Sequence, residues 1–290
     1  MPKVVKQSPK PVTRTNHEAQ AEGGVKLCAY GRGKTGKTRL LASFPKPLLI
    51  IGTEDGTKSI CTGKKLKTKL STGNWVYSLE ERGKPNGIDF VRLTASSEIE
   101  ECAEMLASEG YASGGLDTAG GLQDLILKEI LGLAETPVQK SWGMAQQQQW
   151  QICGAQLKER LRTLLDLADK RGINVVCIAH ERNFNDESNS DVILPTVGAA
   201  LTPSAAGWLN AACDYVCQTF LRAQVTLKES TIGGKTIKTP TKTGKIEYCL
   251  RVGPHEIYMT GFRLPSGAGE LPEAIVDPTY EKIAKIIRGE

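Results

Sequence analysis

The sequence predicts an α/β fold: a mainly parallel sheet flanked by helices, with an antiparallel β-rich C-terminal extension. Three observations predict it. Gly31 to Thr38 read Gly-Arg-Gly-Lys-Thr-Gly-Lys-Thr, a full match to G-x-x-x-x-G-K-[ST], between a strand-like run and a helical one. Apolar strand patterns and amphipathic helix patterns then alternate to about residue 212. From Asp214 onward, short β-rich runs replace that alternation.

The elements follow in order. Residues 1–24 are polar, contain Pro and carry Lys3, Lys6, Lys10 and Arg14, the composition of a disordered basic tail. The folded domain is expected over 25–290. Val25 to Tyr30 is an apolar strand, and Lys37 to Phe44 a short helix. Leu48 to Ile51 forms a second strand and ends in the polar turn Gly52-Thr53-Glu54-Asp55-Gly56. Lys58, Lys64, Lys65, Lys67 and Lys69 lead to Trp75 and Tyr77; an exposed hairpin is preferred there over a nucleic-acid surface. Asp89 to Leu93 is a third strand, followed by an amphipathic helix from Ser96 to Glu109.

Tyr111 to Thr118 is a weak strand, because Ser113, Gly114 and Gly115 stand where aliphatic residues are expected. Helices are read over Gly121 to Ala134 and Gln151 to Arg171, with a loop from Thr136 to Trp150 between them. Ile173 to Ala179 is a strongly apolar strand ending at His180 and Glu181. Glu181 to Ala200 is polar and broken by Gly and Pro, a long functional loop. Pro203 to Ala212 is helical. Tyr215 to Leu221, Gln224 to Leu227, Lys245 to Val252 and Glu256 to Phe262 are the β runs, with a turn at Gly233-Gly234. The β-rich part spans about 213–262, and a C-terminal helix covers Pro278 to Arg288.

Composition narrows the function classes. The chain has 290 residues, 40% hydrophobic and 24% charged, with net charge +5, which permits a nucleic-acid partner without demanding one. Eight cysteines form no C-x-x-C pair and no zinc spacing, so reduced core thiols are the preferred reading. Cys213 and Cys217 are spaced to share a helix face, yet two thiols alone make a poor metal site. No apolar run approaches membrane-spanning length, and the N-terminus lacks the apolar core of a signal peptide. These features predict a soluble cytoplasmic protein with no membrane partner.

The chemistry starts at the loop. Gly31, Gly33 and Gly36 permit close backbone approach, so the amides of Gly31, Arg32, Gly33, Lys34, Thr35, Gly36, Lys37 and Thr38 can cradle a phosphate chain. Lys37 supplies charge to the phosphates and the Thr38 hydroxyl suits Mg²⁺, so ATP and Mg²⁺ are the expected ligands. Hydrolysis needs partners at neighbouring strand ends. Asp117, followed by Thr118, is the carboxylate for the Mg²⁺ side. Glu54 is the candidate for aligning water, with Asp55 its rival. His180 ends a strand and can sense the γ-phosphate.

Taken together, the phosphate loop, Pro-Leu-Leu-Ile-Ile-x-x-Thr-Glu-x-Gly, Asp117-Thr118, the Ala-His-Glu at a strand end and the β-rich tail resemble the phage RecA-like ATPases, proteins associated with recombination and annealing. The resemblance spans Val25 to Ile287. It implies a RecA-like P-loop NTPase fold and ATPase activity in phage-type DNA recombination, annealing or replication, inside a bacterial host cell. It implies that Glu54 acts on the attacking water, that His180 is the strand-end sensor, and that Arg182 and Asn183 face single-stranded DNA. It also implies a homo-oligomer and a recombination or single-strand-binding partner. Relatives often carry Lys-x-Arg near the C-terminal strands, reaching a neighbouring subunit's nucleotide; here Gly261-Phe262-Arg263 keeps only Arg263 as a trans-acting candidate. Two alternatives stand beside this reading: a nucleotide-binding module with little hydrolysis, and a small-molecule P-loop kinase, for which no Arg-rich lid is visible in the sequence.

Overall fold

A computed structural model describes residues 23–133, 145–184, 196–232, 235–266 and 269–290. The expected tail over 1–22, the middle of the Glu181 to Ala200 loop at 185–195, most of the loop before Trp150 at 134–144 and the Gly233-Gly234 turn lie outside the described residues.

The strands are β1 (Lys26–Gly31), β2 (Leu48–Gly52), β3 (Gly63–Lys69), β4 (Trp75–Glu81), β5 (Lys84–Arg92), β6 (Ser113–Asp117), β7 (Asn174–Phe184), β8 (Thr196–Ala199), β9 (Tyr215–Ile232), β10 (Lys235–Arg251), β11 (Gly261–Phe262) and β12 (Ala274–Val276). The helices are α1 (Lys37–Ala42), α2 (Glu98–Ser108), α3 (Ala119–Ile130), α4 (Gln147–Arg171), α5 (Pro203–Ala212) and α6 (Tyr280–Arg288). The strands form one sheet in the order β12-β10-β9-β1-β7-β6-β2-β5-β4-β3, with β11 beside β9 and β8 beside β7. The run from β9 to β5 is parallel throughout. Antiparallel strands close both sides, β10 and β12 at one end and β4 and β3 at the other. This is the predicted α/β architecture, with its antiparallel C-terminal extension.

Two cores hold the helices to the sheet. On one face, Ile99 and Leu106 of α2, Leu122 and Ile126 of α3, Leu157, Leu161 and Leu164 of α4 and Leu209 of α5 pack with Leu49, Ile51 and Leu116. On the other, Leu40 and Leu41 of α1 and Ile283 of α6 pack with Leu27, Ala29, Leu48, Ile50 and Ile178. The parallel strands are buried on both faces, which is why they read as continuous apolar runs.

The glycines of β6 belong to this packing. A Cβ built on Gly114 would lie 2.7 Å from Cδ1 of Leu106, and one on Gly115 would lie 2.3 Å from Cδ1 of Leu41. The strand is poor in side chains because α2 and α1 press on it from opposite faces. Lys64, Lys65 and Lys69 line the β3 edge of the sheet, where charge opposes pairing with another chain.

The structure revises several boundaries. β7 continues through Glu181 to Phe184 and pairs there with β8, so both ends of the expected loop are strand. The runs read as Tyr215 to Leu221 and Gln224 to Leu227 are one strand, and β10 begins at Lys235 rather than Lys245, because a single long ladder joins them. Most of Glu256 to Phe262 is not a strand; Tyr258 makes an isolated bridge to Val197 and β11 is Gly261–Phe262. Cys213 caps α5 while Cys217 lies in β9, so they do not share a helix face. No helix among the described residues is long and apolar enough to cross a membrane.

Candidate nucleotide-binding site

The carboxyl ends of the parallel strands meet at one edge. The register sets Gly31 beside His180 and Thr219, and Gly52 beside Asp117. Segments far apart in sequence therefore open onto one cleft of about 520 Å³, lined by Gly33, Gly36, Lys37, Thr38, Glu54, Asp117, His180 and Tyr248, among others.

The loop at its floor is held by polar contacts. Gly36 has φ +90°, a conformation that disfavours side chains, and the Tyr248 ring lies against it. Thr35 is buried; its hydroxyl donates to Arg32 O at 2.8 Å and shares a 2.6 Å hydrogen bond with the Thr219 hydroxyl. Lys37 is only 7% exposed, and its ammonium donates to the carbonyls of Gly31 (2.9 Å) and Arg32 (2.6 Å). Burial lowers its pKa, while Asp117 and Glu181 act in the opposite sense.

Across the cleft the Thr38 hydroxyl donates to Asp117 Oδ2 at 2.7 Å. Burial raises the Asp117 pKa and Glu54 adds to the rise; the Thr38 bond, Lys37 and His180 oppose it. A half-buried carboxylate beside a hydroxyl and an ammonium suits a cation-bound polyphosphate, because the cation would restore the charge that burial disfavours. Among the described residues no group of three His, Cys, Asp or Glu side chains is gathered to hold a metal alone. Thr38 and Asp117 therefore suit a Mg²⁺ that takes most of its ligands from phosphate and water.

Glu54 and Asp55 separate clearly. Asp55 accepts hydrogen bonds from Lys64 Nζ at 2.7 Å and the Thr57 hydroxyl at 2.7 Å. The Lys64 bond, then the Thr57 bond, lowers its pKa to about 2. Glu54 is exposed and lines the cleft. His180 is also exposed on the cleft wall, one residue before Glu181.

Three candidate residues lie elsewhere. Arg182 and Asn183 are exposed on the outer half of β7, with Arg182 stacked over Phe184 at 5.6 Å, and do not line the cleft. Arg263 donates to Asp214 Oδ1 (3.0 Å) and Ala211 O (2.6 Å) of its own chain. It is likewise not among the cleft residues.

Sequence reading missed a polar chain behind the loop. Arg32 Nε donates to Glu181 Oε1 at 2.8 Å, Gln218 Nε2 donates to Glu181 Oε2 at 3.1 Å, and Arg251 donates to Gln218 Oε1 at 3.0 Å. Gln218, Thr219 and Tyr248 come from the β-rich region, whose periodicity marks strands but does not say which strand adjoins β1. The register of β9 on β1 brings Gln218 and Thr219 to the loop, and the pairing of β10 with β9 brings Tyr248.

This sheet, with its phosphate loop between β1 and α1 and a carboxylate at the end of β6, two strands away, defines a P-loop ATPase. A family model described as an AAA domain matches residues 23–260, and the chain belongs to that family. Among solved structures, the crystal structure of the RadB recombinase aligns over 79% of this chain and 87% of its own length, at 14% identity and a TM-score of 0.37. No match is found among curated proteins.

Proposed function

We propose that this P-loop ATPase hydrolyses ATP with Mg²⁺ as a RecA-like protein acting on DNA in phage-type recombination, annealing or replication, through one ATPase domain over 25–290. The observation that carries the reading is the 2.7 Å bond from Thr38 to Asp117 beside buried Lys37, made by segments 79 residues apart in the chain. Lys37 and the amides of Gly31 to Thr38 neutralise the phosphates. Thr38 and Asp117 hold the metal side, where a bound Mg²⁺ would draw charge from the phosphate oxygens. Glu54 aligns the attacking water. His180 relates the γ-phosphate to Arg182 and Asn183 through β7, and these two residues contact single-stranded DNA. Homo-oligomer formation and a recombination or single-strand-binding partner complete the reading, with Arg263 as the residue offered across a subunit boundary.

The test is ATP turnover with and without single-stranded DNA, with Lys37→Ala as control. Loss of this charge-assisted contact should weaken nucleotide binding by about 1.5–3 kcal/mol. ATP turnover that single-stranded DNA accelerates and Lys37→Ala abolishes is the expected result. Turnover indifferent to DNA, with no DNA bound at low salt, would overturn the DNA part. Nucleotide affinity unchanged by Lys37→Ala would overturn the site.

A further inference from the structure

Beyond Thr219, β9 leaves β1 and continues to Ile232 paired only with β10 among the described strands; β12 joins β10 only at Cys249 to Arg251. Residues 220–232 and 235–248 are thus a two-stranded arm, reaching roughly 40 Å past the sheet at about 3.3 Å per residue. The arm leaves from the same edge as the phosphate loop, since β9 runs parallel to β1 and exits beside Gly31.

Its composition is unlike that of the rest of the chain. The segment holds six lysines and arginines against two glutamates, so four of the chain's five net positive charges lie in it. Arg222 is paired with Glu247 at 2.9 Å, and the excess charge is carried by lysines. Lys242 and Lys245 are exposed, and Leu221, Val225 and Ile246 among them are 42%, 50% and 65% exposed. A ribbon with this charge matches the phosphate backbone of a nucleic acid.

The root of the arm is tied to the nucleotide loop. Thr219 shares its hydrogen bond with Thr35, and Gln218 connects through Glu181 to Arg32. Arg251 bonds Gln218 and stacks on Phe220 and Tyr258 at 4.8 and 4.2 Å.

We propose that the β9–β10 arm is the protein's main nucleic-acid grip, contacting the phosphate backbone through Lys242 and Lys245, with its root placed to relay that contact to the phosphate loop. This rests on the reading of an ATPase that acts on DNA, and moves the main contact from Arg182 and Asn183 to the arm.

The test uses the full chain and two variants. In one, residues 224–245 are replaced by Asn-Gly, joining the paired residues Ala223 and Ile246 through a two-residue turn. In the other, Lys242→Ala and Lys245→Ala are combined in the intact arm. Binding of a labelled oligothymidine strand and a labelled duplex is followed by fluorescence anisotropy from about 50 to 200 mM salt, the range over which phosphate contacts are lost. Binding of a fluorescent ATP analogue reports the integrity of the nucleotide site.

The short-armed protein should bind nucleic acid at least tenfold more weakly and the ATP analogue within twofold of the full chain. Loss on either probe supports the arm, and the probe affected tells single strand from duplex. The double lysine variant should lower the slope of log affinity against log salt by about 1.4 on single strands, about 0.7 per contact. Nucleic-acid affinity within twofold for the short arm, or an unchanged salt slope for the lysine variant, overturns the arm while leaving the DNA reading standing. A full chain that binds neither probe overturns both.

Discussion

Gly115→Ala is the substitution whose outcome follows most directly from the packing of this sheet. The new Cβ would meet Leu41 at 2.3 Å (Cδ1) and 2.6 Å (Cδ2), distances no relaxed contact allows. Leu41 is fully buried and cannot swing aside without moving its neighbours. Overpacking of this kind costs about 1–3 kcal/mol. Replacing a strand glycine returns about 0.5–1 kcal/mol of backbone entropy. The net expectation, by those figures, is a loss of roughly 0–2.5 kcal/mol. Leu41→Ala alone leaves a cavity and costs about 2–5 kcal/mol. In that background the clash is gone and only the entropic gain remains, so Gly115→Ala changes sign and stabilises. Urea unfolding of the four proteins reads this directly. A loss from Gly115→Ala that agrees in the two backgrounds within about 0.3–0.5 kcal/mol would refute the packing argument. Leu41 lies three residues after Thr38 and Gly115 two before Asp117, so the single variant should also weaken binding of a fluorescent ATP analogue.

Two other outcomes follow from a buried and a half-buried carboxylate. Glu98, 1% exposed, accepts hydrogen bonds from the Thr72 hydroxyl (2.6 Å), the Thr94 amide (2.7 Å) and the Thr94 hydroxyl (2.9 Å). Glu98→Ala orphans these donors and should cost about 2–4 kcal/mol in urea unfolding; a loss under about 1 kcal/mol would contradict the anchoring role. Burial first, and then the charge of Glu54, pushes the Asp124 carboxyl up to about 6. The native state therefore holds this proton more tightly than the unfolded chain does. Below the unfolded value of about 3.9 nothing is lost; between there and about 6 the native state loses stability as pH rises, and above that the loss is complete. Asp124→Asn should raise the Tm at pH 7 and shrink to a small effect near pH 4. An equal gain at both pH values would exclude titration as the cause.

Much of this architecture was legible in the chain because the relevant signals are local. The motif from Gly31 to Thr38 is contiguous, and strands buried on both faces, such as Leu48–Gly52, announce themselves as apolar runs. α5 is read to the residue from Pro203 at its first position. β6 was weak in sequence for the reason it is tight in structure: its glycines give up side chains so that Leu106 and Leu41 can approach. Position after β2 puts Glu54 ahead of Asp55 in the sequence; the physical difference, that Lys64 and Thr57 hold Asp55, needs the fold. The arm was read as short runs because its polar residues, Thr and Lys above all, interrupt the apolar alternation. What joins them is backbone pairing that composition does not encode. The link from Arg32 through Glu181 and Gln218 to Arg251 depends on register across four strands, beyond the reach of any single window of sequence.

The central claim is that Glu54, exposed in the cleft that Lys37, Thr38 and Asp117 also line, aligns the attacking water. Single-turnover ATP hydrolysis by Glu54→Gln, with nucleotide affinity measured on the same protein, tests it most directly. The mechanism predicts affinity within about twofold of wild type and a rate lowered by about 10²–10⁴, the range for loss of a positioned acid–base group. Equal turnover in the two proteins would contradict it and leave the cleft as a binding site alone.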